Sequence, residues 1–192
     1  MPPIPPRPLG QYRHVRFVAA QIAIEAPVDL LIVGMQEKDG GRSGAEQVDR
    51  ALHGTLGRLR AGGIFTGMAG EELTLWAPPA PIGARSLMLI GLGAGLAGDP
   101  LRIGRLTRQA MRSTLCTHAR KVACLLGWNG LDIAEEGIEE IAAAMMRGAL
   151  LALDGLETPP RPIEWIFDIR NGQAQRTAAA LENALATWHS PE

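Results

Sequence analysis

A chain of 192 residues, 46% apolar and 20% charged, is long enough to bury a full core and reads as one α/β domain. Its formal net charge of -1 excludes a global attraction to nucleic acid or to an anionic membrane, so either contact would need a local patch. No apolar run reaches the roughly 20 residues of a membrane span, and Met1-Pro2-Pro3-Ile4-Pro5-Pro6-Arg7-Pro8 lacks the apolar centre of a secretory signal, which leaves a cytoplasmic protein as the expectation.

Residues 1–12 read as a flexible, proline-rich leader held locally extended, and residues 13–192 as the domain. His14-Val15-Arg16-Phe17-Val18-Ala19-Ala20 alternates in character and predicts a strand that runs toward Ile24 and is broken at Ala26-Pro27. Leu30-Leu31-Ile32-Val33-Gly34 is wholly apolar, the mark of a strand covered on both faces. Ser43-Gly44-Ala45-Glu46 has capping-box spacing. It predicts one helix continuing through Val48, Ala51, Leu52, Leu56 and Leu59 to a left-handed exit at Gly62-Gly63.

Glu72-Leu73-Thr74-Leu75-Trp76-Ala77 is the next strand, closed by Pro78-Pro79. Ser86-Leu87-Met88-Leu89-Ile90-Gly91-Leu92-Gly93 follows as a buried strand, passing through a glycine-rich turn into Asp99-Pro100, an N-cap with proline at the first helical position. The helix predicted from Pro100 to about His118 sets Ile103, Leu106, Ala110 and Met111 on one side and Arg102, Arg105, Arg108 and Arg112 on the other. That arginine face is either solvated or meets an anion.

Lys121-Val122-Ala123-Cys124-Leu125-Leu126-Gly127 predicts a fifth strand, and residues 133–153 a long helix, acidic in its first turns at Glu135, Glu136, Glu139 and Glu140, as the helix dipole favours. A sixth strand, Ile163-Glu164-Trp165-Ile166-Phe167-Asp168-Ile169, precedes a terminal helix with Ala178, Leu181, Leu185 and Trp188 on one stripe. The order ββαββαβαβα implies a mixed, mostly parallel sheet of about six strands between helical layers, a three-layer αβα sandwich.

Chemistry-bearing motifs are sparse. Gly93-Ala94-Gly95-Leu96-Ala97-Gly98 follows a strand and matches the spacing of a dinucleotide-binding loop, but the helix starts only after its third glycine, and the following strand ends in Leu126-Gly127 rather than an acid. A flexible turn is the better reading. Strand ends at Gly34, Gly91 and Gly127 outline the crevice where open α/β sheets bind ligands. A small-molecule site there would use Gly34, Gly91, Gly93, Gly95 and Gly127, with Trp128 stacking and Asn129 beside it. His14, His53, His118 and His189 lack metal-ligand spacing, no serine sits in a nucleophile elbow, and no histidine stands at a catalytic spacing from Cys116 or Cys124. No catalytic residue, metal ligand or cofactor is assigned, and both cysteines are expected reduced and buried.

Several segments together resemble the N-terminal domain of the cytosolic leucyl aminopeptidase family, two-metal zinc or manganese exopeptidases. They are the helical stretch 45–59, the turn Gly62-Gly63-Ile64-Phe65-Thr66-Gly67-Met68-Ala69-Gly70-Glu71, the strand end Leu89-Ile90-Gly91-Leu92-Gly93, the helices over 101–120 and 142–153, and the closing strand and helix. The resemblance implies a macro-domain-like fold. It also implies that the family's metal ligands belong to a second domain, whose signature Asn-Thr-Asp-Ala-Glu-Gly-Arg-Leu has no counterpart here, Ala134-Glu135-Glu136-Gly137 being the nearest string. Where the family tends to carry Tyr-Phe-Lys late in the long helix, this chain has Ala149-Leu150-Leu151-Ala152-Leu153. Three functions follow as expectations: a non-catalytic assembly or regulatory module, homo-oligomeric or bound to a separate peptidase-like chain; a macro-like module for a nucleotide or ADP-ribose-type ligand; and, least supported, an aminopeptidase in its own right.

Overall fold

The computed structural model describes residues 5–37, 44–95, 99–126, 137–157, 160–170 and 172–189. Seven strands form one sheet: β1 (Arg7–Tyr12), β2 (Val15–Ala20), β3 (Leu30–Gln36), β4 (Glu72–Trp76), β5 (Ser86–Gly93), β6 (Lys121–Leu125) and β7 (Ile163–Asp168). Their spatial order is β1-β2-β7-β6-β3-β5-β4. The five inner strands run parallel, and β1 and β4 run antiparallel at the two edges.

The helices α1 (Gly44–Ala51), α2 (Thr55–Ala61), α3 (Pro100–Leu115), α4 (Ile138–Asp154) and α5 (Ala174–Ala186) flank the sheet on both faces. Period-two alternation along the strands separates two cores. Phe17, Ile32, Ile90, Cys124 and Trp165 point toward α3, α4 and α5. Leu31, Val33, Leu87, Leu89 and Ile166 point toward α1 and α2. The expected three-layer α/β arrangement is therefore present. Where α3 crosses α4, a Cβ on Gly148 would overlap the Gly104 carbonyl oxygen, so the absent side chain sets how closely the two backbones approach.

Three expectations change. Residues 7–12, read as leader, form the seventh strand, because β2 offers an unpaired edge and Leu9 is buried against it. Pro8 is tolerated at the outermost strand, next to a register shift between Pro8 and Gly10. The strand is tied down by Arg7 to Glu182 and by the Tyr12 hydroxyl to Asp154.

The single helix expected over 45–59 is two helices. His53 and Gly54 take left-handed backbone angles, and the Asp49 carboxylate caps the second helix by accepting from Leu56 N at 2.7 Å and Gly57 N at 3.4 Å. Val48, Ala51, Leu52 and Leu56 stay buried together, so the apolar stripe survives the break. The Ser43 cap lies outside the described residues.

Cys116, expected buried, is exposed just after α3; Cys124 is buried on β6, where burial pushes its thiol up to about 12. No described helix is long and apolar enough to cross a membrane.

Candidate functional site

The carboxyl ends of the parallel strands form the rim on which the glycine-rich segments converge. The turn 62–71 leaves α2 and lies across the ends of β3 and β5, and its glycines have separate tasks. Gly63, Gly67 and Gly70 take φ of 68, 89 and 86°, in the region where a side chain costs about 1–2 kcal/mol. Those reversals point successive backbone amides inward. The Glu71 carboxylate accepts from Thr66 N at 2.7 Å, Gly67 N at 2.7 Å and Met68 N at 3.1 Å, and from the Thr66 hydroxyl at 3.1 Å. Desolvation pushes this carboxyl up, but the amide and hydroxyl donors outweigh it and hold it below the ordinary glutamate value. The motif Gly-x-Phe-x-Gly-x-x-Gly-Glu is thus a clamp built from one carboxylate and the amides that surround it.

The clamp is also seated on the sheet. Gly93 N donates to Gly67 O at 2.8 Å, Gly70 N to Gly91 O at 2.9 Å and Gly91 N to Glu71 O at 2.8 Å. Gln109 of α3 holds Gly70 O at 3.0 Å, and Arg60 of α2 holds Gln36 O at 2.7 Å. Phe65 is buried in the core beneath α1 and α2, whereas Ile64 is 70% exposed and Met68 52% exposed. A rigid turn therefore presents two apolar side chains to solvent.

The sequence-derived ligand positions separate under this geometry. A Cβ on Gly91 would overlap the Met68 carbonyl oxygen, one on Gly93 would lie 2.9 Å from Ala69 Cβ, and one on Gly34 would lie 2.9 Å from both Leu92 methyls. The room beside these three glycines is filled by the chain itself. Gly95 differs: its φ is +64° and nothing among the described residues stands within 4 Å of the Cβ position. Gly127, Trp128 and Asn129 lie outside the described residues.

The four arginines of α3 are not equivalent either. Arg102 folds back, donating to Ala94 O at 2.8 Å and pairing with the N-cap Asp99 at 3.5 Å, so it ties the end of β5 to the start of α3. Arg105, Arg108 and Arg112 are exposed and make no hydrogen bond or ion pair among the described residues.

One group at the carboxyl rim has no local sequence signal. Asp168 ends β7 with its side chain fully buried, accepting from Ile22 N at 3.0 Å and from Arg170 Nε at 3.0 Å. Burial pushes its carboxyl above the ordinary aspartate value, with Arg170 and the Ile22 amide opposing. It joins the segment after β2 to the end of β7. Glu71 does have a signal, since an acid closing a run of glycines at three- and four-residue spacing marks amides converging on a carboxylate. Motif spacing alone gives it no role beyond the last position of the turn. Among the described residues no three His, Cys, Asp or Glu side chains are grouped so as to hold a metal ion.

Comparison with known proteins agrees with this architecture. Curated relatives include a probable cytosol aminopeptidase of Paraburkholderia phytofirmans, 28% identical over 82% of this chain and 28% of its own length. Leucine aminopeptidase 1 of Arabidopsis thaliana is 26% identical over 72% of this chain and 27% of its own. The chain thus spans less than a third of these two relatives. Among solved structures, a mutant tomato leucine aminopeptidase superposes with a TM-score of 0.66 at 21% identity, over 88% of this chain and 35% of that one. A mutant macrodomain from Oceanobacillus iheyensis gives 0.63 at 10% identity, over 95% of this chain and 97% of that one, a likeness of fold. The family model that matches, over residues 32–157, is that of the cytosol aminopeptidase family, N-terminal domain, and by that domain the chain belongs to the family.

Proposed function

We propose that this chain acts as a non-catalytic assembly or regulatory module in the cytoplasm, docking on a peptidase-type partner chain. The observation that carries this reading is the clamped turn, which holds Ile64 and Met68 exposed on a backbone fixed by Glu71 and by β5. A preorganised apolar projection loses little entropy on binding, which is what a docking element needs. The family match supports the same reading, because it falls on the N-terminal domain and not on a catalytic one.

Native mass spectrometry of the 192-residue chain mixed with a cytosol aminopeptidase catalytic chain tests it. The expected result is a complex that is lost when Ile64→Asp and Met68→Asp are combined. Failure to associate, or turnover of an aminoacyl amide by the purified chain with manganese that a chelator abolishes, overturns it.

A second reading has one observation of its own: no described residue stands within 4 Å of a Cβ on Gly95, just past β5, and a macrodomain neighbour from Trypanosoma brucei, TM-score 0.60 at 11% identity, was solved with ADP. On that reading the rim takes a nucleotide or ADP-ribose-type ligand. Thermal shift separates the two, since a ligand at 100 times its dissociation constant adds about 2.7 kcal/mol of stability.

A further inference from the structure

The strand β4 closes one edge of the sheet, and its hydrogen-bonding pattern shows which backbone groups remain available. Ala77 N donates to Arg85 O and Gly91 N donates to Glu71 O. With the register Trp76↔Ser86 to Glu72↔Ile90, odd-numbered residues of this strand therefore pair with β5. Alternation in an antiparallel ladder then turns the N–H and C=O of Glu72, Thr74 and Trp76 away from the sheet. Edges of this kind are ordinarily guarded by lysine, proline or a bulge. The stretch Glu72-Leu73-Thr74-Leu75-Trp76 contains neither lysine nor proline, and the register carries no shift. Trp76, at the end of the edge, is 71% exposed.

We infer that this edge pairs with the same edge of a second copy, antiparallel about a two-fold axis at Thr74. The strand is complementary to itself in that register. The outward-facing residues fall opposite one another, Thr74 against Thr74 of the second copy and Glu72 against Trp76, so each facing pair exchanges two backbone hydrogen bonds. Leu73 meets Leu75 of the second copy on the face where both are already half-buried against the α1–α2 core. No like charges are opposed.

The exposed Glu72 lies at one end of β4 on the α3 face, whereas Arg85, opposite Ala77 on β5, falls by alternation on the other face and pairs with Asp29 at 3.6 Å, so neither charge stands against the pairing. Glu72 keeps its contacts to Ser113 and Gln109 of α3, which hold it at the edge. This surface is separate from the turn that presents Ile64 and Met68, so either can fail while the other stands.

Analytical ultracentrifugation of the 192-residue chain over a concentration series tests the inference, with amide hydrogen exchange as the second readout. The expected result is a concentration-dependent dimer in which the Glu72, Thr74 and Trp76 amides gain protection. Thr74→Pro removes an outward N–H without touching the ladder to β5, and weakens association at least about tenfold. Where that variant fails to fold, Thr74→Lys, which guards the edge with a charge, is expected to weaken association in its place. A chain that stays monomeric throughout, or a dimer indifferent to both Thr74 variants, overturns the proposal.

Discussion

The two ends of the sheet make opposite use of similar raw material. At the carboxyl end, glycines stand where a ligand crevice is expected, yet residues 67–69 and the Leu92 side chain occupy the space beside Gly34, Gly91 and Gly93. At the amino end no glycine motif advertises a site, yet Trp76, Arg85, Cys116 and His118 line an open cavity of ≈ 350 Å³ beneath the end of α3. A glycine therefore marks where something comes close; beside Gly34, Gly91 and Gly93, that something is another part of the same chain.

The largest expected effect separates glycines that look alike in the sequence. Gly91→Val forces a side chain into the Met68 carbonyl and dislodges the clamped turn, at about 3 kcal/mol or more by denaturant unfolding. Gly95→Ala meets no described residue and is expected to cost only the left-handed backbone penalty, about 1 kcal/mol. Equal losses at both positions would break the distinction between a packed and an open glycine.

Next in size is Glu71→Gln, which keeps the shape of the clamp but removes its charge. About 1–2 kcal/mol of stability at neutral pH is expected to go, discounted for the partial exposure of the turn. The carboxyl of Glu71 is held below its unfolded value, so its stabilisation is present above about pH 4.3 and is lost as pH falls through the folded pKa. Asp29, lowered by the Arg120 and Lys121 amides, acts in the same direction at the amino end. The Gln variant should therefore lose less stability on acidification than the parent.

Asp168 has the reverse sign. Its folded pKa is raised, so its contribution is full below the unfolded value and falls as pH climbs through the folded one. Asp168→Asn, which keeps an acceptor for Ile22 N, is expected to remove that decline, and unfolding midpoints across a pH series read it directly. The smallest effect is at the amino end. Trp76→Ala should leave monomer stability within about 0.5 kcal/mol, because the indole is mostly in water, while intrinsic fluorescence reports its loss.

Much of the fold was legible in the sequence. Unbroken apolar runs at Leu30–Val33 and Leu87–Ile90 identified buried parallel strands, Asp99-Pro100 marked the start of α3, and stripes at Ile103, Leu106, Ala110 and Met111 named the face it buries. These signals are local, set by backbone sterics and by the period at which side chains meet a core. The β1 strand was not legible, since a proline-rich stretch becomes a strand only if an edge such as β2 is there to receive it. The break between α1 and α2 also escaped, because Val48, Ala51, Leu52 and Leu56 keep one stripe across it and only the Asp49 cap shows the second start.

The α/β class, most element positions and the membership read from the glycine-rich turn and strand end are all carried by neighbours along the chain, and so could be read without coordinates. What those glycines face is set by packing between distant segments. Whether an absent side chain leaves space that no described residue fills, as beside Gly95, or admits residues 67–69, as beside Gly91, depends on a segment distant along the chain, and no local pattern encodes where that segment comes to rest.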